Sequence, residues 1–117
     1  EDVYPAVLDC DGLIMICPNY NDAVSASLTA FINRLTALVR VRNFSDKRLY
    51  AVVVSGYSGS DIEAEQLISA LNMNKTFLLP PRFAMMRIAN DPGSIISNRN
   101  IQEDAASFAK TIMREFQ

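Results

Sequence analysis

The sequence predicts a parallel α/β fold, in which helices cover a buried sheet. Apolar runs of strand length recur at Leu13–Cys17, Leu49–Val54 and Thr76–Leu79, as in strands buried on both faces. Around them, apolar residues recur every three or four positions, which is the spacing of amphipathic helices. Alternation of these patterns is typical of parallel strands joined by crossover helices. The 117 residues contain no repeat or linker-like stretch, so we expect a single domain over residues 1–117.

The first half of the chain predicts a short helix, a strand and a longer helix. Apolar residues within Glu1–Leu8 indicate the end of a helix. Pro18 ends the first strand, because proline has no amide hydrogen to give to a sheet. After a polar turn, the apolar spacing predicts a helix over Ala23–Leu38, with Asn21 or Asp22 as its cap.

The second half repeats this pattern with a second and a third strand. Leu49–Val54 is rich in β-branched residues, as strands are. It leads into a loop of small residues, after which Ser60 and Glu63 have the spacing of a capping box at a helix start. The apolar run Thr76–Leu79 predicts the third strand, which the following two prolines stop.

The last segment predicts a turn and a final helix. Residues 82–99 show no clear period, and Asn90–Gly93 is typical of a turn. Asn100 and Glu103 again have the spacing of a capping pair. The apolar residues from Ile101 to Phe116 then predict an amphipathic helix.

Composition excludes several classes of partner. Half of the residues are hydrophobic, which is enough to build a core. Eleven basic and thirteen acidic residues give a net charge of −2 without a basic stripe, so we expect neither nucleic-acid binding by a charged face nor attraction to an anionic membrane. The absence of a long apolar run and of a signal-peptide pattern predicts a cytoplasmic protein.

Cysteine and histidine usage argues against metal and nucleophilic chemistry. The two cysteines, Cys10 and Cys17, do not form a Cys-x-x-Cys motif, and the chain has no histidine. We therefore expect free thiols, no metal site and no Ser-His or Cys-His catalysis. The basic residues between the first long helix and the second strand, among them Arg42 and Lys47, are expected to form a solvated surface.

Two loops carry the groups that suit ligand binding. Both follow strands, and ligands of open α/β sheets bind at the carboxyl ends of strands. The first loop offers an aromatic ring and amides, and the second offers glycines before a helix start. The alternative for each is structural: a helix cap with a ring across its first turn, and a plain strand-to-helix connection. The candidate binding residues are Pro18, Asn19, Tyr20, Asn21, Ser55, Gly56, Tyr57, Ser58 and Gly59.

These residues resemble the NAD(P)H-dependent FMN reductase family. The run Asp11–Tyr20 resembles its acidic-Gly, apolar strand and Pro-x-Tyr pattern, and Phe31–Arg34 resembles the helix that follows. Lys47 and the strand after it, ending in Ser55 and Gly56, resemble the family's next strand and loop. Asn33 and Thr29 depart from the Asp and Lys that are usual there, but both are helix positions.

The resemblance implies a flavodoxin-like fold, a three-layer α/β/α architecture, and FMN as cofactor. The two loops would then flank the isoalloxazine ring, with Tyr20 as the ring-side contact, and no protein side chain is implied as catalytic. The implied activity is hydride transfer from NAD(P)H through the flavin to a small acceptor, so the implied partners are flavin and pyridine nucleotide.

The resemblance also implies a missing part. The family's first strand, its phosphate-holding loop and its second strand have no counterpart in these 117 residues. The chain would supply strands 3, 4 and 5 of a 2-1-3-4-5 sheet, as a carboxyl-terminal fragment or an abbreviated member. Because a phosphate cradle anchors a flavin nucleotide, we expect the chain alone to bind little FMN and to be inactive.

Loss of neighbouring strands predicts self-association. The strand Leu13–Cys17 would lie at a sheet edge with unpaired backbone groups, so we expect a homo-oligomer formed through it. A non-catalytic module that has lost FMN and acts in protein association is therefore the alternative function. A different doubly wound enzyme is a third possibility, but the sequence has no Gly-x-Gly-x-x-Gly or nucleophile-elbow motif.

Overall fold

The computed structural model describes residues 3–19, 23–91 and 93–116. The elements, in chain order, are α1 (Val3–Asp9), β1 (Gly12–Pro18), α2 (Ala26–Val39), β2 (Arg48–Ser55), α3 (Ser60–Leu67) with a π-helical extension (Ile68–Met73), β3 (Ala84–Ile88), a 3₁₀ turn (Ser94–Ser97) and α4 (Ile101–Glu115). The strands form one parallel sheet in the order β1-β2-β3. The predicted parallel α/β class is confirmed.

Helices lie on both faces of this sheet. On one face, Met15 and Cys17 of β1 join Leu49, Ala51 and Val53 of β2 in the main core. This core also contains residues of α1, α2, α3 and the π-helical extension: Val7, Ile32, Leu35, Leu67 and Leu71. The alternation of side chains along a strand places β2's other residues on the opposite face.

The opposite face of the sheet is covered by α4. Tyr50 of β2 and Met85 of β3 form a smaller buried cluster there with Phe108. The Tyr50 and Phe108 rings meet edge to face, with centroids 6.3 Å apart and planes at 79°, a favourable aromatic geometry. In the part of the chain that the structure describes, no helix is long and apolar enough to span a membrane.

The prediction of the third strand at Thr76–Leu79 is wrong. That segment makes a single parallel bridge, between Leu78 and Arg48, and the sheet's third strand is Ala84–Ile88. The apolar character of Thr76–Leu79 has another cause, because Phe77 is fully buried with its ring 4.9 Å from that of Phe44. The Ala84–Ile88 strand lies at the sheet edge, alternates between more and less buried residues and contains Arg87. It therefore lacks the continuous apolar run that is typical of a central strand.

The predicted helices exist, but their predicted caps do not. Helix α2 begins later than Ala23, because Ser25 is its N-cap and accepts a hydrogen bond from the Leu28 amide at 3.3 Å. The capping residues predicted for it, Asn21 and Asp22, lie outside the described residues. Before α4, Asn100 occupies the N-cap position in a left-handed conformation (φ 59°) and makes no side-chain cap.

The capping box predicted for α3 is also absent. Gly59 is the N-cap, with φ 94° and no side-chain hydrogen bond to the helix. The Ser60 hydroxyl lies 2.5 Å from that of Ser55 instead. Glu63, predicted to reach back to the helix start, is fully buried. The glycine with positive φ makes the turn into α3, and no side chain caps the first amides of the helix.

Lys47 lies in the interior and not on the predicted solvated surface. Its side chain is 2% exposed, and its ammonium donates to the carbonyl oxygens of Leu8 at 2.8 Å and Cys10 at 2.7 Å. These carbonyls end α1 and precede β1, so one ammonium joins three segments of the chain. Arg42, from the same basic stretch, is exposed as predicted.

Candidate functional site

Three loops meet at the carboxyl end of the parallel sheet. The first follows β1 at Asn19, the second follows β2 from Ser55 to Gly59, and the third follows β3 at Ala89–Asp91. Backbone hydrogen bonds continue the pairing past the strands, from the Asn19 amide to the Val54 carbonyl at 3.0 Å and from the Ala89 amide to the Ser55 carbonyl at 2.8 Å. Parallel strands therefore bring the two predicted loops together, and a third with them.

Asn19 joins the two predicted loops. Its amide nitrogen donates to the hydroxyl of Ser55 at 3.0 Å and to the carbonyl of Ser58 at 3.2 Å. Ser55 is fully buried, and its hydroxyl also contacts that of Ser60. Hydrogen bonds among Asn19, Ser55, Ser58 and Ser60 therefore link the ends of two strands. They hold these residues, the rim of the site, in one arrangement.

The fold itself explains why the second loop contains two glycines. At Gly56 a Cβ atom would lie 2.7 Å from the amide oxygen of Asn90, so the missing side chain makes room for the third loop. At Gly59 the positive φ of 94° sets the turn into α3. Neither observation requires a ligand, and the structural interpretation of these two glycines is sufficient.

The outward groups of the site are polar and aromatic. Tyr57 is 78% exposed, Pro18 and Ser58 are also exposed, and no side chain caps the amides of the first turn of α3. Tyr20 and Asn21, the other predicted contacts, lie outside the described residues. The site offers backbone amides and hydroxyls for hydrogen bonds and an aromatic ring for stacking, and a flat polar heterocycle can bind through all three.

A buried carboxyl lies beneath the second loop. Glu63 of α3 is fully buried, and neither of its oxygens has a hydrogen-bond partner among the described residues. Burial raises the pKa of Glu63 from 4.5 to about 7. Burial also raises the pKa of the Cys17 thiol to about 11, and the Glu63 charge adds to that rise. Cys17 is a free thiol kept protonated, and so is no nucleophile.

Sequence reasoning missed the groups that the third strand brings to this end of the sheet. A cavity of about 530 Å³ lies between the start of α3 and the edge of β3, and the predicted residues Ser58 and Gly59 line it. Its apolar floor is Met86 and Ile88, and Asn98, which donates to the Ile88 carbonyl at 2.9 Å, lies at its rim. The mostly apolar segment Ala84–Ile88, interrupted only by Arg87, was the signal that could have found them.

Replacing Asn19 by alanine is expected to destabilise the protein by about 1–2 kcal/mol, since two hydrogen bonds between the loops are lost. Ser58→Ala is the matched control, because Ser58 contributes its backbone carbonyl and should change stability by less than about 0.5 kcal/mol. Urea unfolding measures both, and amide hydrogen exchange at Ser58 and Gly59 should accelerate in the Asn19 variant alone. Equal stability of the two variants would contradict the bridging role.

Comparisons with known proteins identify the family and the fold of this chain. A family model described as NADPH-dependent FMN reductase matches residues 1–91. The solved structure of the Trp repressor binding protein from Bacillus subtilis is similar with a TM-score of 0.65 and 23% identity, over 82% of this chain and 61% of that one. This likeness confirms the flavodoxin-like fold, in partial form, since the chain spans about three fifths of that structure. No curated protein sequence matches significantly.

Proposed function

The chain belongs to the NADPH-dependent FMN reductase family, and from that premise we propose that these residues supply the ring-side loops of a flavin-dependent oxidoreductase. The observation that carries the proposal is the hydrogen-bonded rim formed by Asn19, Ser55 and Ser58 at the carboxyl end of the sheet. Fold alone does not define an activity. The polar rim and the family together support it.

The residues present fit the ring of FMN better than its phosphate. The exposed Tyr57, the Ser58 hydroxyl and the uncapped amides of α3 suit a heterocycle with carbonyl and ring-nitrogen acceptors. In the proposed site Pro18, Asn19, Tyr20 and Asn21 border one side of the ring, and Ser55, Gly56, Tyr57, Ser58 and Gly59 border the other. When bound, FMN would supply the redox chemistry by taking hydride from a reduced pyridine nucleotide. The chain's own residues bind and orient the ring.

A titration with FMN and riboflavin tests this proposal. Because the proposed contacts are to the ring, this chain should bind both flavins weakly and with affinities equal within about threefold, whereas a phosphate anchor would favour FMN strongly. Flavin fluorescence measures both affinities. Binding of neither flavin would contradict the proposal, and FMN copurifying at one per chain would contradict the weak binding expected.

Variants at Tyr20 locate the ring. Removal of an aromatic contact by Tyr20→Ala should weaken riboflavin binding by about 0.5–1.5 kcal/mol, up to roughly tenfold. Tyr20→Phe retains the ring and should bind riboflavin as the unchanged chain does. An equal loss in both variants would assign the effect to the hydroxyl instead of to stacking.

The second candidate function is a module for protein association without a cofactor. The observation that favours it is the apolar edge strand, in which Ile14 is 48% and Ile16 is 69% exposed. A chain that binds neither flavin in the titration, but associates through this strand, would favour the module over the oxidoreductase.

A further inference from the structure

Basic side chains on the outer side of α4 gather around one cavity, which we call the α4 cavity. Its volume is about 480 Å³. The lining includes three cations, two hydroxyl groups and one carboxylate: Arg82, Lys110, Arg114, Ser107, Thr111 and Glu103. The chain as a whole has a net charge of −2, so this concentration of positive charge is local. A concave surface with an excess of cations attracts anions.

The spacing of residues along α4 puts the helical members of this set on one side of the helix. They are three or four positions apart and cover two turns: Ser107, Lys110, Thr111 and Arg114. Arg82, from the turn just before β3, completes the α4 cavity. Met113 and Phe116 lie on a different side of α4, where they line a separate cavity beside β1. The α4 cavity is therefore built without the edge of β1.

Arg82 is held in place by neighbours that are not charged. Its Nη1 donates to the hydroxyls of Ser107 at 3.2 Å and Thr111 at 3.1 Å. The guanidinium carbon lies 5.7 Å from the centre of the buried Phe108 ring, which is a favourable cation–π distance. A guanidinium that is already positioned loses less conformational freedom when it binds a ligand.

These contacts leave donors available at the α4 cavity. Arginine also carries N–H groups on Nε and Nη2, and those of Arg82 bond to no described residue. Nε and Nη2 together form the fork that binds two oxygens of one anion. The Ser107 hydroxyl accepts from Arg82, so its own hydrogen remains to be donated, whereas the Thr111 hydroxyl donates to the Ser107 carbonyl at 3.0 Å.

Among the described residues, no carboxylate forms an ion pair with the cations of this cavity. The other acidic residues of α4 pair with strand arginines: Asp104 with Arg87, and Glu115 with Arg48. Glu103 lines the cavity but makes no such pair. Lys110 and Arg114 are four positions apart on one helix, so their like charges repel each other. A bound anion would replace this repulsion by attraction.

We propose that the α4 cavity binds the phosphate group of a small molecule. Arg82 binds two phosphate oxygens, the Ser107 hydroxyl donates to the phosphate, and Lys110 and Arg114 supply further donors and charge. A phosphate suits three cations better than a single carboxylate does, because it carries about two negative charges near neutral pH. A compact ligand suits the site better than a nucleic acid, because the positive charge is confined to the cavity and forms no stripe.

The proposed phosphate site is separate from the candidate flavin site. Arg82 precedes β3 and so lies at the amino end of that strand, whereas the candidate loops follow the strands at their carboxyl ends. Titrations with flavin and with phosphate therefore test different surfaces, and either can fail while the other succeeds.

Titration with inorganic diphosphate at constant ionic strength, followed by amide NMR shifts, tests the proposal. The unchanged chain should bind diphosphate saturably, with the largest shifts in residues 107–114. Arg82→Gln should weaken binding by at least about tenfold, because the fork to the phosphate oxygens is lost. Arg34→Gln is the matched control, since it removes the same charge from an exposed position of α2, on the opposite face of the sheet. It should change the affinity by less than about twofold.

A second variant keeps the test decisive if Arg82→Gln fails to fold. Lys110 is exposed and makes no described hydrogen bond, so Lys110→Gln should fold normally, as circular dichroism verifies, and still weaken diphosphate binding by about threefold or more. Absence of saturable binding at millimolar diphosphate would overturn the proposal, and so would equal losses in the Lys110 and Arg34 variants. Tighter binding of a short single-stranded DNA than of diphosphate at the same salt concentration would overturn the choice of a small ligand.

Discussion

Replacing Lys47 by methionine is expected to lower the free energy of unfolding by about 2–4 kcal/mol. The Lys47 side chain is 2% exposed, and its ammonium donates to the carbonyls of Leu8 and Cys10. Methionine fills a similar volume but donates no hydrogen bond, so both carbonyls lose a charge-assisted partner. The favourable position of a cation at the carboxyl end of α1 is lost as well.

Arg42→Met is the matched control for this variant. It removes the same charge from the same basic stretch, but Arg42 is exposed, and exposed substitutions change stability by less than about 0.5 kcal/mol. Urea or guanidinium unfolding of the three proteins at one pH gives the comparison. If the Lys47 variant unfolded at the same denaturant concentration as the Arg42 variant, the ammonium would not hold α1 to the sheet. Amide exchange in α1 adds a local readout, because its last turn should open first.

Glu63→Gln is expected to abolish a loss of stability that the unchanged protein shows as the pH rises. The pKa of Glu63 is about 7 in the folded protein, against 4.5 for the ordinary carboxyl. Between these two values the folded protein binds more protons than the unfolded chain does, so the free energy of unfolding falls as the pH rises. At about 1.4 kcal/mol for each pKa unit, the loss is at most about 3–4 kcal/mol. It is complete about one pH unit above the folded pKa.

The expected result is therefore a difference that grows with pH. About one pH unit below 4.5, where Glu63 is protonated in both states, the glutamine variant and the unchanged protein should have similar stabilities. About one pH unit above 7 the variant should be more stable by up to about 3–4 kcal/mol. Glu65→Gln, on an exposed position of the same helix, controls for the change in net charge and should follow the unchanged protein. A constant difference between the Glu63 variant and the unchanged protein across this range would show that burial does not raise the pKa of Glu63.

The ionisation of Glu63 is also expected to affect the second loop of the candidate site. The helix that carries it begins at Gly59, and the loop before it lines the rim that Asn19 joins. Ionisation of the buried carboxyl disfavours the packing of α3 against the sheet, because no partner among the described residues compensates the charge. The protection factors of amides in the second loop, which correct for the intrinsic rise of exchange with pH, should thus fall above pH 7 in the unchanged protein and not in Glu63→Gln.

The sequence by itself determined the class of fold and which two loops lie together at one end of the sheet. Continuous apolar runs at β1 and β2, and the periodic spacing in α2 and α4, are local patterns that burial imposes on any parallel α/β sheet. Because strands of one direction end at one edge, the loops after Pro18 and Ser55 had to lie side by side. The hydrogen bonds from Asn19 to the second loop confirm that the two loops lie side by side.

Only the tertiary structure decided which apolar segment joins the sheet and which charges are buried. Phe77 and Met85 are both apolar. Phe77 packs against Phe44 in the core beside the sheet, whereas Met85 belongs to the strand that pairs with β2. Lys47 and Glu63 look like surface residues in the sequence, since a charge carries no local mark of burial. Segments that are distant along the chain bury these two side chains. Such contacts impose no local periodicity on the sequence, so they cannot be predicted from it.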